Sequence, residues 1–296
     1  MRQTVNSIIV LWVVYAASVS VAYGQDTFSW SVSPMLGVYS PSLSGLNGDE
    51  FEATLTGTGS IVIDATTSAD FPFKIINPLA DIDYGSEAGV EFELGFWPRD
   101  ALLFGISSWE GVTTSQVITE MPFQGVLSQA AFERSANISY MQYYLGWKHY
   151  ILDRPRHYKV YSSLTLHELF DVDFREQLVF AFTSGPADTF NRNVVMESQA
   201  TGIMMPMIGG GIDWYLNDWL SFGFNAGFAF DLKRSSLDHA SIKTDLQSGD
   251  NISLQLPAQL NPKTLQLSYK TVNGSYRKVS LDFHGWRALF RITFHF

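Results

Sequence analysis

Ten residues near the middle of the chain, HELFDVDFRE (His167 to Glu176), hold its densest set of groups able to do chemistry. In an extended segment His167, Asp171, Asp173 and Arg175 share one parity, which puts an imidazole and two carboxylates on one face. Such a set suits general acid–base work or a divalent cation, and His167, Asp171 and Asp173 are the candidate catalytic residues. Asp282 and His284 offer a smaller set of the same kind. DHAS (Asp238 to Ser241) combines acid, imidazole and hydroxyl, but it lies in a long connection that leaves its geometry unset. IGGG (Ile208 to Gly211) is followed by no Lys-Ser/Thr pair and so is not a phosphate loop; its glycines make room for a bulky neighbour such as Tyr161. No nucleophile–base pattern stands out, and neither a cofactor nor a metal is expected.

The elements that must position these groups alternate with a period of two. In WRALFRITFHF, Ala288, Phe290, Ile292, Phe294 and Phe296 have one parity, while Arg287, Arg291, Thr293 and His295 have the other. That is a strand with one apolar and one charged face. The same pattern recurs. TFSWSVSPMLGVY sets Trp30, Val32, Leu36 and Val38 against serines, and GVEFELGFW sets Val90, Phe92, Leu94 and Phe96 against Glu91 and Glu93. ALLFGISSW, ISYMQYYLGWKHY, HYKVYSSLTLH, MIGGGIDWY and WLSFGFNAGFAFDL complete a set of eight.

The connections between these strands run long, short, long, short, long, short, long. The long ones lie near 40–85, 112–136, 183–200 and 233–278, and the short ones are PRD, LDRPR and LND. This is the order of a barrel with short periplasmic turns, long external loops and both termini on the periplasmic side. Trp97, Trp147, Tyr150, Tyr158, Trp214, Tyr215, Trp219, Phe294 and Phe296 stand beside short turns or the terminus, at the height of a periplasmic aromatic belt; Trp109, Tyr140 and Trp286 belong near the outer interface. Two loop segments, FEATLTGTGSIVIDATT and ISLQLPAQLNPKTLQLSYK, could be hairpins. Counted in the wall they would raise the total to ten or twelve strands. Short length and Pro257 favour hairpins that project above an eight-stranded barrel.

Composition agrees. Aromatics make up 15% of the 296 residues and charged residues only 16%, against about 25% charge in an ordinary soluble domain. The net charge of −10 argues against nucleic acid as a partner. Residues 1–24 combine Arg2, an apolar stretch from Ile8 to Ala17 and a small-x-small ending, Ala22-Tyr23-Gly24, which together fit a cleaved signal peptide. Residues 25–296 then form the barrel domain. The absence of cysteine excludes both a disulfide framework and a lipid-modified N-terminus.

The signal peptide, the alternating strands and a last strand ending in Phe296 resemble the Gram-negative outer-membrane β-barrel proteins, broadly the small eight-stranded OmpA or OmpW type. The resemblance implies an all-β, antiparallel, up-and-down transmembrane barrel in the cell outer membrane, in contact with its lipids and lipopolysaccharide. It further implies that Phe290, Ile292, Phe294 and Phe296 are read by the barrel-assembly machinery. A monomer is expected.

With the apolar parity turned to lipid, the lumen receives Glu91, Glu93, Asp213 and Asp231 against Lys148, Lys159, Arg287 and Arg291. Charges in a narrow tube should pair, because an unpaired buried charge is costly. Glu91 or Glu93 could reach Arg291, and Lys159 could reach Asp213. Three functions are open on these grounds: a structural or small-solute-passage barrel, a rim enzyme at His167, Asp171 and Asp173 acting on lipid or peptide, and a binding or adhesion module built from the loops.

Overall fold

A computed structural model of the chain describes residues 29–43, 53–64, 67–77, 80–123, 126–154, 157–184, 191–200, 202–232, 235–244, 254–255, 258–260, 267–270, 276–278 and 280–296. Residues 1–24, expected to be a signal peptide, lie outside the described residues. The strands are β1 (Ser29–Pro41), β2 (Ala53–Asp64), β3 (Thr67–Asn77), β4 (Gly85–Trp97), β5 (Asp100–Phe123), β6 (Val126–Arg154), β7 (Tyr158–Phe182), β8 (Asn191–Ala200), β9 (Ile203–Asn217) and β10 (Leu220–Ala229). Short segments follow: β11 (Ser235–Ser236), β12 (Asp238–Thr244), β13 (Leu254–Gln255), β14 (Ala258–Leu260), β15 (Leu267–Lys270), β16 (Tyr276–Lys278) and β17 (Ser280–Leu281). The last strand is β18 (Gly285–His295).

Eight of these close an antiparallel ring in the order β1-β4-β5-β6-β7-β9-β10-β18, with β18 returning to β1. The closing seam is sealed at its periplasmic end. Phe296 donates its backbone N–H to the Trp30 carbonyl at 2.9 Å, and the two rings stack at 4.2 Å. The hairpin β2–β3 pairs with β13 in a sheet of its own, and β14, β15 and β16 form another. Neither adds a strand to the ring, so the wall holds eight strands and not ten or twelve.

Pairing alternation with closure forces one face outward. Leu36 is 63% exposed, Phe104 50% and Leu145 62%, whereas the inward Tyr39, Leu103 and Tyr144 are buried. On β7 the lipid-facing side runs ten residue steps, from Tyr158 to Glu168. At ~3.3 Å per residue and a tilt of ~40°, this covers roughly 25 Å, the height of a transmembrane apolar band. The turns below are short for local reasons. Trp97 pairs with Asp100 across Pro98-Arg99, and Asn217 Oδ1 accepts the Trp219 N–H at 3.0 Å in a side-chain-capped turn.

Above this band the strands continue. The segment 112–136, expected as a loop, is instead the far half of a long hairpin in which β5 and β6 stay paired to Phe123 and Val126. Segment 183–200 likewise contains β8, which joins β7 on one side and β12 on the other. Polarity inverts along these strands without any change of facing on β6. Its outward residues pass from Trp147, Leu145, Tyr143 and Met141 to Ser139, Asn137, Ser135 and Glu133. Its inward residues pass from Lys148, Tyr144 and Gln142 to Ile138, Ala136 and Phe132. The lower half is built for lipid outside, the upper half for water outside and an apolar interior.

β7 does change facing. Between the pairs Ser139–Asp173 and Met141–Phe170, β6 places one residue and β7 places two, Asp171 and Val172. This is a β-bulge, and Asp171 sits in the left-handed region at φ 50°. Below it, odd-numbered residues of β7 point inward; above it, even-numbered ones do. The strand also forks here, pairing with β9 up to Leu169 and with β8 from Val172.

Four expected positions in the aromatic belts change as a result of facing. Trp109 and Tyr140 have inward parity and lie inside the barrel, stacked at 5.2 Å, so neither belongs to the outer belt. Tyr150 is at the expected periplasmic height but buried within the lumen. Tyr215 also turns in and stacks on His295 at 4.9 Å. Trp97, Trp147, Trp214 and Trp219 face out, as does Trp286 at the other end.

Candidate functional site: the braced lumen

The interior is organised in layers. In the lower one, Arg291 of β18 lies between carboxylates from two other strands. Its Nη1 is 2.6 Å from Glu91 Oε1, and its Nη2 is 2.7 and 2.8 Å from the two oxygens of Asp213. Lys148 Nζ completes the group, 2.7 Å from Glu93 Oε2 and 3.3 Å from Asp213 Oδ2. Tyr144 donates its hydroxyl to Glu91 at 2.8 Å, and Tyr150 donates to Glu93. The ring of Tyr161 fits against both cations, 4.0 Å from Lys148 Nζ and 4.8 Å from the Arg291 guanidinium carbon. Glycines admit these groups. A Cβ at Gly211 would come within 2.3 Å of Tyr161 Oη, and one at Gly223 within 2.6 Å of Arg291 Nε.

The next layer centres on Glu87. Arg287 binds it through two nitrogens, with Nε 2.7 Å from Oε2 and Nη2 on Oε1. Ser107 and Gln142 each donate to the same carboxylate, at 2.7 and 2.8 Å. His167 is buried beside them. Its Nδ1 lies 3.1 Å from Gln142 Oε1, and its Nε2 lies 2.8 Å from the Thr165 hydroxyl oxygen. The imidazole is thus held by two partners and stacked on Tyr144 at 4.6 Å.

Above the ion pairs comes an aromatic and aliphatic plug. Tyr39, Trp109, Tyr140 and Phe283 pack edge and face, with Leu43, Ile82, Leu237 and Leu281 in the same buried cluster. Among the described residues, the ion-pair layers and the plug border two small cavities of about 10 Å³ each, room for about one water. Arg287 lines both.

Of the eight charges expected in the lumen, six meet in these layers: Glu91, Glu93, Lys148, Asp213, Arg287 and Arg291. Two do not. Lys159 is the register partner of Asp213, yet its Nζ goes to Asp153 Oδ2 at 3.5 Å, half-exposed near the periplasmic mouth. Asp231 lies past the end of β10 and accepts the Phe283 N–H at the other mouth. Glu87 was missed because the expected strand began at Gly89; its parity with Glu91 was the available signal.

The rim set is not assembled. His167 is 2% exposed inside the barrel, whereas Asp171 and Asp173 lie on the exposed outer side, because the bulge at Asp171 reverses the facing between them. Asp173 there accepts from Gln199 at 2.8 Å. The side chains of Asp238, His239 and Ala240 lie outside the described residues.

Closed antiparallel wall, apolar exterior band and charged interior together define the class: an eight-stranded outer-membrane β-barrel. No family model matches the chain, and no curated protein does. Solved structures with a similar course include the outer membrane protein OprG from Pseudomonas aeruginosa, at 11% identity over 92% of this chain and 98% of that one, with a TM-score of 0.33. The outer membrane protease OmpT from Escherichia coli follows at 9% identity, 92% and 97% coverage and a TM-score of 0.31. The attachment invasion locus protein Ail of Yersinia pestis is 8% identical over 92% and 100%, with a TM-score of 0.23. These likenesses transfer no role to any residue here.

Proposed function

We propose that the protein is a non-conducting anchor of the outer membrane, a braced barrel that holds the extracellular halves of β5 to β8 at the cell surface as a binding platform. The observation that carries this is the filling of the lumen among the described residues: two layers of interlocked ion pairs beneath an apolar plug, bordered by cavities of about 10 Å³ each. A conducting pore would need a continuous file of water, and an ion pair locked across the bore opposes it. The polar outer face of the extension supplies the surface, with Gln116, Glu133, Asn137, Asp173 and Arg175 turned to solvent or half-exposed. In this reading the chain is exported by a cleaved signal peptide, assembled through its Phe296-terminated strand, and works as a monomer among lipopolysaccharide and outer-membrane lipids.

Planar-bilayer recording on refolded protein tests the proposal. The wild type should give no stable unitary conductance, and Arg291→Ala combined with Arg287→Ala should open one. Reproducible wild-type channels of fixed size would return the protein to the solute-passage class.

A further inference from the structure

Asp231 follows β10, while Asp282 and His284 precede β18, so these three side chains converge at the extracellular mouth. Among the described residues they form a group in which one donor atom from each lies within 4.8 Å of the others. His284 Nδ1 stands 3.7 Å from Asp231 Oδ2 and 3.6 Å from Asp282 Oδ2. Direct hydrogen bonds would close to about 2.9 Å. Ligands of one tetrahedral ion, each ~2.0–2.1 Å from the metal, stand roughly 3.4 Å apart, which is much nearer to the spacing seen. Two carboxylates and a neutral imidazole also leave a formal charge that one divalent cation balances.

The donors are held from behind. Both oxygens of Asp231 accept the Phe283 N–H, at 3.0 and 2.9 Å. The carbonyl of His284 accepts from Ser42 N–H at 2.8 Å and that of Asp282 from Leu43 N–H at 2.9 Å, tying both to the end of β1. Asp282 is buried, and His284 is half-exposed, so the site has a fixed floor and an open side. Between the two ligands on the chain sits Phe283, fully buried and edge-on to Tyr140 at 5.4 Å in the plug.

We propose that Asp231, Asp282 and His284 bind one divalent transition-metal ion of the zinc type, with water in the open position. The bound ion joins the exit of β10 to the entry of β18 and pins Phe283 in the barrel mouth. An imidazole nitrogen and two carboxylates suit Zn²⁺, whereas Ca²⁺ takes six to eight oxygens.

The test is calorimetric titration of the full chain, refolded in detergent without a polyhistidine tag and stripped with chelator, using ZnCl₂ and CaCl₂ in parallel. One saturable Zn²⁺ per chain is expected, with no matching Ca²⁺ isotherm. His284→Ala should weaken Zn²⁺ by more than about tenfold, and His149→Ala, at a half-exposed histidine paired with Asp100, should leave it unchanged. Zn²⁺ should also raise the unfolding temperature of the wild type but not of His284→Ala. Should His284→Ala fail to show the gel-mobility shift of a folded barrel, Asp231→Asn takes its place with the same expected loss. Absence of saturable Zn²⁺ binding, its survival in the variant that folds, or equal binding of Ca²⁺ overturns the proposal.

Discussion

The same three strands, β5, β6 and β7, run through two media, and the two halves solve opposite problems. In the membrane half the outer face is Leu102, Phe104, Leu145 and Trp147, and the charges are inside. In the extracellular half the outer face is Gln116, Glu133 and Arg175, and Phe132, Phe174 and Phe180 are inside. Each half nevertheless buries an ion pair. The membrane half buries a cross-lumen network in which Arg291 serves two carboxylates, and the extension buries the pair of Arg134 with Glu176 at 2.5 Å. The difference lies in what each pair spans. Arg291 connects β18 to β4 and β9 across the bore, so it braces the tube below its apolar plug. Arg134 and Glu176 are near neighbours on the paired strands β6 and β7, within a sheet already packed on apolar side chains.

The largest effect should therefore come from breaking the lumen network. Arg291→Ala leaves Glu91 and Asp213 buried without their main partner and should cost about 3–5 kcal/mol of barrel stability, read from urea unfolding of the folded band on cold gels. A loss under about 1 kcal/mol would mean that the brace is dispensable. In the extension, replacing the pair together, Arg134→Met with Glu176→Leu, should be neutral or stabilising by ~1–4 kcal/mol, measured as resistance of the β5–β6 hairpin to proteolysis. If the double variant is cleaved faster, the extension relies on its ion pair as the barrel does.

The outer faces offer a second contrast. Phe290→Lys puts a cation on the lipid side and should cost ~2–4 kcal/mol near mid-membrane. Glu133→Lys, on the outer side of β6 above the membrane, should change stability by less than ~0.5 kcal/mol. Equal costs would move the membrane boundary away from Ser139.

The smallest effect concerns pH. Burial holds the Glu176 carboxyl above the usual carboxylate range, with Arg134 only partly offsetting it. The folded extension therefore keeps its proton to higher pH than the unfolded chain does. Its stability is greatest below the unfolded value and declines as pH rises through the folded one. Limited proteolysis between pH 4 and pH 8 should show slightly faster hairpin cleavage at the upper end, and Glu176→Gln should flatten the trend. A trend of the opposite sign would mean that the charged pair is favoured.

Much of the membrane half was legible because each lipid-facing strand repeats the same local rule. Leu220, Phe222, Phe224, Phe228 and Phe230 declare their face with no reference to any neighbour. The extension obeys the same period of two in FERSANIS, but with the polar side outward, so its residues resembled an ordinary loop between two lipid-facing runs. His167 and Asp171 were separated by a bulge that leaves no mark in the residue types. Asp171 adopts a left-handed backbone without being glycine, and one extra residue reverses every face beyond it.

From the sequence alone came eight lipid-facing runs, their outward faces, the alternation of short and long connections, and a last strand ending on Phe296. These depend on side-chain alternation, which is a property of two adjacent residues in any extended chain. Which charges meet inside was decided only by the tertiary structure. Arg291 meets Glu91 and Asp213, Lys159 turns to Asp153, and Glu87 joins the core, because those partners depend on strand stagger and bulges accumulated around the whole ring. The same closure brought Asp231 beside Asp282 and His284, residues some fifty positions apart that no local pattern connects.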